Sequence, residues 1–511
     1  MRRTGCLLLG LGLWAMAAAS ARWQAQSPSE EALSPGAAAF RALRSATNRE
    51  DQHGTVEALR DLWSADPTRG AQASLDIILR GSPYWRVLGV AALARHGTAD
   101  QIDRAIGALS PGHHRSERWA LVRALDGKDP EQVRTIAPRY LRDSEVLVQV
   151  AAIAALAGTG DPTVARHFIG SLPPLPTIDA AVDAEYARTL TMYGALRRLT
   201  GISFRDQAAA LNWWRRGSEI GSPGTDPRSV VFGLRREPNW RFEFATAHFR
   251  GRLAMRRIDD LFVNAAPWTR RSEAWGGIVS AVDAGAADGF AKASRIFGRT
   301  TLPLAELVVA DSVNFVREFA LMPESEVNGE AHHQVLLLAS SDRTMQVEAA
   351  RRAVTLAEKG TLPDLPRWLT WGLVNGLVPG CSACAGGRCS GAPGGGVPSA
   401  SLLRLLESGA VTRGTASDEP MFGRSGDQLW WLGNAAVLFM LGGGFAEPEM
   451  RMTLLAARLN FGVPSRVAIQ EMYGAPVQEL DRRVMAWALD GGLRRPLEWL
   501  EAGSAESPPR N

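Results

Sequence analysis

Cysteine and histidine are the residues whose chemistry depends most on spacing. Apart from Cys6 near the start, the cysteines fall in one run, Cys381-Ser-Ala-Cys384-Ala-Gly-Gly-Arg-Cys389, with a glycine-rich stretch behind it. Three thiolates so placed can hold zinc with a fourth ligand, and a Cys-x-x-Cys pair can cycle between dithiol and disulfide. In an oxidising compartment one loop disulfide with an odd thiol is the simpler state, and the odd thiol can pair between chains. The glycine-rich stretch is unlike a phosphate loop, since no strand precedes it and no Lys-Ser/Thr follows. Histidines occur as His113-His114, as His332-His333 and singly, as at His248. None has a partner four residues on, so the pairs read as exposed turns and His248 as part of an edge strand. Trp213-Trp214 offers an aromatic platform or, more simply, large side chains closing the end of a helical stack.

The elements that must position these residues belong to a folded, exported chain. Of 511 residues, 46% are hydrophobic and 22% charged, which argues against wholesale disorder and against a multi-span membrane protein. The length predicts two or three domains. The formal charge of +4 is carried almost wholly by arginine, with Lys128, Lys292 and Lys359 the only lysines. No long basic run with interleaved aromatics occurs, so nucleic acid is not expected as a partner. Arg2-Arg3, the short apolar run Cys6 to Ala19 and the small residues Ala19-Ser20-Ala21 have the form of a signal peptide with a mature start near Arg22. The run is shorter than the roughly 20 residues of a membrane span. Secretion, or delivery to a periplasm or cell envelope, is therefore expected, with no stable span.

Residues 22–54 read as a flexible lead-in. Beyond them helix-length apolar patterns recur, as in Trp85 to Gly97, Arg118 to Gly127 and Val146 to Gly158. The pairs Ala92-Leu93, Ala124-Leu125 and Ala155-Leu156 return at intervals of 32 and 31 residues, a repeat signature. A second helix is expected in each unit, at Asp100 to Leu109, Pro130 to Leu141 and Pro162 to Leu172. This pattern, with Thr159-Gly-Asp-Pro162 closing one helix and opening the next, resembles HEAT-type repeats and implies an α-solenoid over 55–216. The Gly/Ser/Pro-rich stretch at 217–238 reads as a linker.

The second half changes character. Phe242 to Phe249 reads as extended, Ser272 to Phe297 as a long helix, Leu304 to Asp311 and Gln334 to Ala339 as strands, and the remainder as helical. Gln428 to Leu441 is apolar on every face and reads as a buried core helix. Residues 501–511 form a frayed tail.

This order, with Asp311-Ser-Val-Asn-Phe-Val-Arg-Glu-Phe319, Leu365-Pro-Arg-Trp-Leu-Thr-Trp-Gly372 and Met472-Tyr-Gly-Ala-Pro-Val-Gln-Glu-Leu-Asp481, resembles the peptidase-MA-like (gluzincin) metallopeptidases over 239–500. The resemblance implies a small sheet followed by a zinc helix bearing H-E-x-x-H, with a third ligand from a downstream glutamate. In that register Val347 and Arg351 stand at the histidine positions, Glu348 at the general-base position and Trp371 at the third ligand. Valine and tryptophan offer a metal no donor, and arginine repels one. Zinc, the family's cofactor, is therefore not expected at these positions. Glu348 is a catalytic relic or, more simply, a solvated or Arg351-paired helix glutamate.

The fold class expected is mainly α: an α-solenoid followed by an α+β gluzincin-like domain with a small sheet and a helical C-terminal part. The function expected is non-catalytic binding of a protein, peptide or envelope polymer. The rival is an active metal-dependent hydrolase with a site outside this register.

Overall fold

A computed structural model describes residues 34–174, 183–202, 204, 206–215, 230–235, 240–245, 249–255, 274–299, 305–310, 335–337, 342–378 and 427–492. Among these the chain is mainly helical. The first helices are α1 (Pro35–Asn48), α2 (Gln52–Ala65), α3 (Pro67–Arg80), α4 (Pro83–His96), α5 (Ala99–Ala108), α6 (Arg115–Arg123), α7 (Pro130–Ile136) and α8 (Val146–Gly158), then α9 (Ala184–Thr200) and α10 (Gln207–Arg215). The strands β1 (Val230–Arg235), β2 (Trp240–Ala245) and β3 (Phe249–Met255) precede α11 (Ala274–Phe297), β4 (Ala305–Ala310) and β5 (Val335–Leu337). The chain closes with α12 (Asp342–Lys359), α13 (Arg367–Leu377), α14 (Asp427–Gly442), α15 (Pro448–Asn460), α16 (Ser465–Tyr473) and α17 (Val477–Leu489).

Local chemistry sets the breaks between the early helices. Asp66 ends α2 through its backbone N–H to Leu62, and its side chain accepts from the Arg69 N–H at the start of α3. Pro67, in the first turn of α3, lacks a donor that would be unsatisfied there anyway. Thr98 and Gln101 form a reciprocal capping box on α5. Gly201 closes α9 at φ 72°, a left-handed conformation that a side chain would resist.

Three expected boundaries are corrected. The stretch expected to be a flexible lead-in contains α1, capped by Ser34 and burying Ala37, Leu43 and Ala46. The helix expected from Pro130 to Leu141 ends at Ile136 and continues as a 3₁₀ turn over Ala137–Arg142. Pro138 has no N–H to give the Arg134 carbonyl, so the α ladder cannot pass it. The helix expected from Pro162 to Leu172 is two short 3₁₀ turns, Pro162–His167 and Ile169–Ser171. In addition, β1 lies within the expected linker, where it pairs antiparallel with β2.

The strands form one sheet in the order β1-β2-β3-β4-β5. The first three are antiparallel, with an irregularity between Phe232 and Leu234. β4 runs parallel to both β3 and β5. The β3-to-β4 connection contains α11, as a parallel pairing requires a long crossover.

Within the repeats α4, α6 and α8 pack side by side in one layer and α5 and α7 in a second. α4 and α8 are buried nearly all round. The α4–α6 layer is covered by the chain's own C-terminal helices, α15 lying on α4 and α6 and α16 on α4. A single continuous apolar core results, from Leu43 through Trp119 and Leu156 to Leu455 and Val484. α11 joins the two ends, packing along α12 and against α15. In its last turn the carbonyl of Ile296 accepts from the Thr453 hydroxyl at 2.8 Å and from the Arg123 guanidinium. A cation and a hydroxyl far away in sequence thus cap the C-terminus of the helix.

Candidate functional site

Three of the residues in the zinc-helix register share α12, and Trp371 lies on the next helix, α13. α12 carries small residues where it meets α11, with Ala349, Ala350, Ala353 and Ala357 buried. Val347 is half-buried and packs on the core. Arg351 is buried, and its Nη1 donates to Glu348 Oε1 at 3.1 Å. Its Nε donates to the carbonyl of Val378, the residue that ends α13, at 3.4 Å. The guanidinium therefore spans two helices, fixing the end of α13 against α12 and neutralising the carboxylate one turn back. Glu348 keeps 27% of its side-chain surface exposed, so this ion pair has one buried and one wetted end.

Arg352 follows directly. Burial holds its guanidinium below the ordinary arginine value, Glu348 opposing that shift and Arg351 adding to it. Glu348 thus faces two arginines, whose charge disfavours a further cation beside it. Among the described residues no group of three or more His, Cys, Asp or Glu side chains is placed to hold a metal. Cys381, Cys384, Cys389, His248, His332 and His333 lie outside the described residues.

A buried carboxylate that sequence reasoning missed lies two turns further along α12. Glu358 has no exposed surface and accepts from the Thr370 hydroxyl of α13 at 2.6 Å, with Lys359 Nζ 3.9 Å away. Glu358-Lys359-Gly360 reads as an exposed helix end, and nothing in it signals that α13 folds over it. Its bonds tie α12 to α13 and leave it no access to solvent, so it serves packing.

The histidine pair of the repeats is corrected as well. His113-His114 was expected in an exposed turn, yet His114 is buried at the head of α6. It packs edge-on to His113, ring centres 4.7 Å apart. The cause is a buried ion pair between neighbouring repeats, Arg86 of α4 with Glu117 of α6 at 3.4 Å, which draws both helices over the ring. Arg86 also meets His113 Nε2 at 3.1 Å, and Ser116 donates to Glu117 at 2.9 Å. Burial, reinforced by Arg86, holds the His114 imidazole below its ordinary 6.5, Glu117 opposing. The folded state then binds this proton less readily than the unfolded chain. The associated stability is complete above pH 6.5 and is lost as the pH falls below that value toward the folded-state pKa. His96 and His167 shift the same way through burial. Urea denaturation is expected to show stability falling as the pH drops below 6.5, and His114→Phe to flatten part of that slope. An unaltered slope would assign the whole loss to other groups.

At the far end of the repeats, Trp213 contacts Phe204 and Trp214, ring centres 5.6 and 6.2 Å apart. Both tryptophans are half-buried, and α10 packs on the 3₁₀ turn Ile169–Ser171. The apolar helix α14 is buried at Ala435, Ala436, Val437 and Met440. Among the described residues no helix is long and apolar enough to cross a membrane.

No protein-family model, curated protein or solved structure matches the chain.

Proposed function

We propose that the chain is an exported, non-catalytic binding protein in which HEAT-like repeats brace a gluzincin-like domain whose zinc ligands are replaced. The partner is a protein, a peptide or a polymer of the cell envelope. The observation that carries this reading is the buried Arg351 guanidinium, bonded to Glu348 and to the Val378 carbonyl. At the second histidine position of the zinc helix it sets a fixed positive charge, and it engages the carboxylate that would otherwise activate water. A base held in that way has no metal-bound water to deprotonate. The repeats act chiefly as scaffold in this reading, because α15 and α16 occupy one of their layers.

The rival, a metal-dependent hydrolase, needs its site elsewhere, and Cys381, Cys384 and Cys389 are the residues that could hold a metal. Elemental analysis of the mature protein, of a C381S/C384S/C389S variant and of Glu348→Gln separates the two, together with hydrolysis of a mixed peptide substrate. The expected result is no stoichiometric zinc and no hydrolysis in any of them. Zinc lost only with the cysteines would place a metal in that loop. Zinc kept throughout, with hydrolysis lost in Glu348→Gln, would overturn the non-catalytic reading and the register together.

A further inference from the structure

Where α11 ends, its last turn meets the end of α6, and the start of α15 closes a third side. With α4 behind, these elements bound a cleft of about 470 Å3. That is the size of many small-molecule sites, which favour such junctions between lobes. Ala91, Ala94 and Met450 give it an apolar floor, and its walls are charged.

Most of those charges are spent on one another. Arg95 grips Glu447 with both nitrogens at 2.8 Å, and Arg295 lies 3.5 Å from Glu449. Glu447 adopts φ 51°, a left-handed backbone that is rare without glycine, so the bidentate bond holds a strained residue in place. Arg123 is spent on the Ile296 carbonyl and the Thr453 hydroxyl. Lys128 and Arg299 remain, and neither has an ion-pair partner within 4.0 Å among the described residues. Lys128 reaches only the Arg95 carbonyl, at 3.4 Å.

Of the three carboxylates that line the cleft, Asp126 has no ion-pair partner within 4.0 Å among the described residues, and the pKa of Glu449, paired with Arg295, is raised by burial. The Asp126 Oδ1 is buried without a hydrogen-bond partner among the described residues. Burial raises its pKa, with Arg198, Arg299 and Arg123 opposing. Burial also lowers the Lys128 ammonium. Beneath the cleft, a small recess shares Arg123, Asp126 and Arg299 with it and reaches Trp119. Trp119 is fully buried, and its indole N–H has no acceptor among the described residues. Two cations without an ion-pair partner and a desolvated carboxyl thus line the open cleft, and the unpaired donor lies in the recess beneath it. The two cations would be relieved by a ligand rich in anionic oxygen.

We infer that this cleft binds a small, multiply charged oxyanion, a phosphate or carboxylate compound, held by Lys128 and Arg299. An Asp126 carboxyl that gains a proton donates to the same oxygens, and one that stays ionised repels them. Binding is therefore expected to strengthen as the pH falls through the raised Asp126 value.

Calorimetric titration with pyrophosphate and with citrate, at low salt, tests this and separates phosphoryl from carboxylate chemistry. Saturable binding of at least one probe is expected. The double variant K128A/R299A should weaken it about 100-fold, roughly tenfold for each charge-assisted bond removed. Asp126→Asn should tighten it and lessen the pH dependence, leaving the part due to Glu449 and to protonation of the probe itself, a gain in affinity that a merely structural role would not produce. Arg299 is exposed and Lys128 half-exposed, so the double variant is expected to keep its circular dichroism and melting transition. Failure of both probes to saturate at millimolar concentration, or equal affinity in the folded double variant, would overturn the assignment.

Discussion

Arg451→Ala is expected to destabilise the protein by about 4 kcal/mol, the range for emptying a large buried site and stripping several acceptors at once. Arg451 has no exposed surface. Its five donors make five bonds: Nε and Nη2 to the Ala446 carbonyl, Nη1 to the carbonyls of Tyr84 and Met472, and Nη2 to Gln52 Oε1. No carboxylate pairs with it in these bonds. Ring faces supply the remaining compensation, with the guanidinium carbon 4.8 Å from the Tyr84 centre, 5.8 Å from Tyr473 and 5.9 Å from Phe445. The partners come from α2, α4, the segment before α15, and α16, so one side chain joins the first helices to the last. Lysine cannot fork between these acceptors, so Arg451→Lys should recover less than half of the loss. Urea denaturation gives the magnitude, and hydrogen exchange should show added opening at both Gln52 and Met472. A loss below about 1 kcal/mol, the scale of a single net hydrogen bond, would mean that the joint lies elsewhere.

This joint was not legible in the sequence. Met450-Arg-Met-Thr453 reads as an ordinary amphipathic turn, and its acceptors are main-chain carbonyls that any residue carries. Gln52 stands 399 positions away. What could be read was local. Asp66-Pro67 and Thr98 with Gln101 mark helix starts because capping needs only neighbouring residues. The recurring Ala-Leu pairs mark equivalent buried positions, and Leu93, Leu125 and Leu156 are all buried. Glu348 and Arg351 can meet across one turn whatever surrounds the helix. Glu358 under Thr370, His114 under the Arg86–Glu117 pair and the Lys128–Arg299 cleft depend on which helix crosses which. That is decided by packing, and periodicity does not encode it. Pro138 is the exception, a local signal that by itself marks the end of the α-helix at Ile136.

The pairing of α11 with α12 rests on two glycines, and here the sign of a substitution separates close packing from mere helix propensity. A Cβ on Gly285 would lie 2.1 Å from the Gln346 carbonyl oxygen, and one on Gly289 would lie 2.2 Å from that of Ala350. Both obstacles are backbone of α12, which cannot turn aside as a side chain can. Glycine to alanine gains about 1 kcal/mol of helix propensity at each site. Against that, forcing the helices apart costs about 1–3 kcal/mol per site by overpacking, and contacts this short put both near the upper end. G285A/G289A is therefore expected to destabilise by a net of about 3 kcal/mol. Gly277 of the same helix is exposed, and a Cβ there would meet nothing within 4 Å. Gly277→Ala should consequently stabilise by about 1 kcal/mol. Equilibrium denaturation of the three proteins decides the matter. If all the alanines stabilise, the helices do not approach this closely, and the position of Glu348 and Arg351 on α12 is not set by α11. If the signs split as expected, the α11–α12 contact is the rigid base from which Arg351 holds the end of α13.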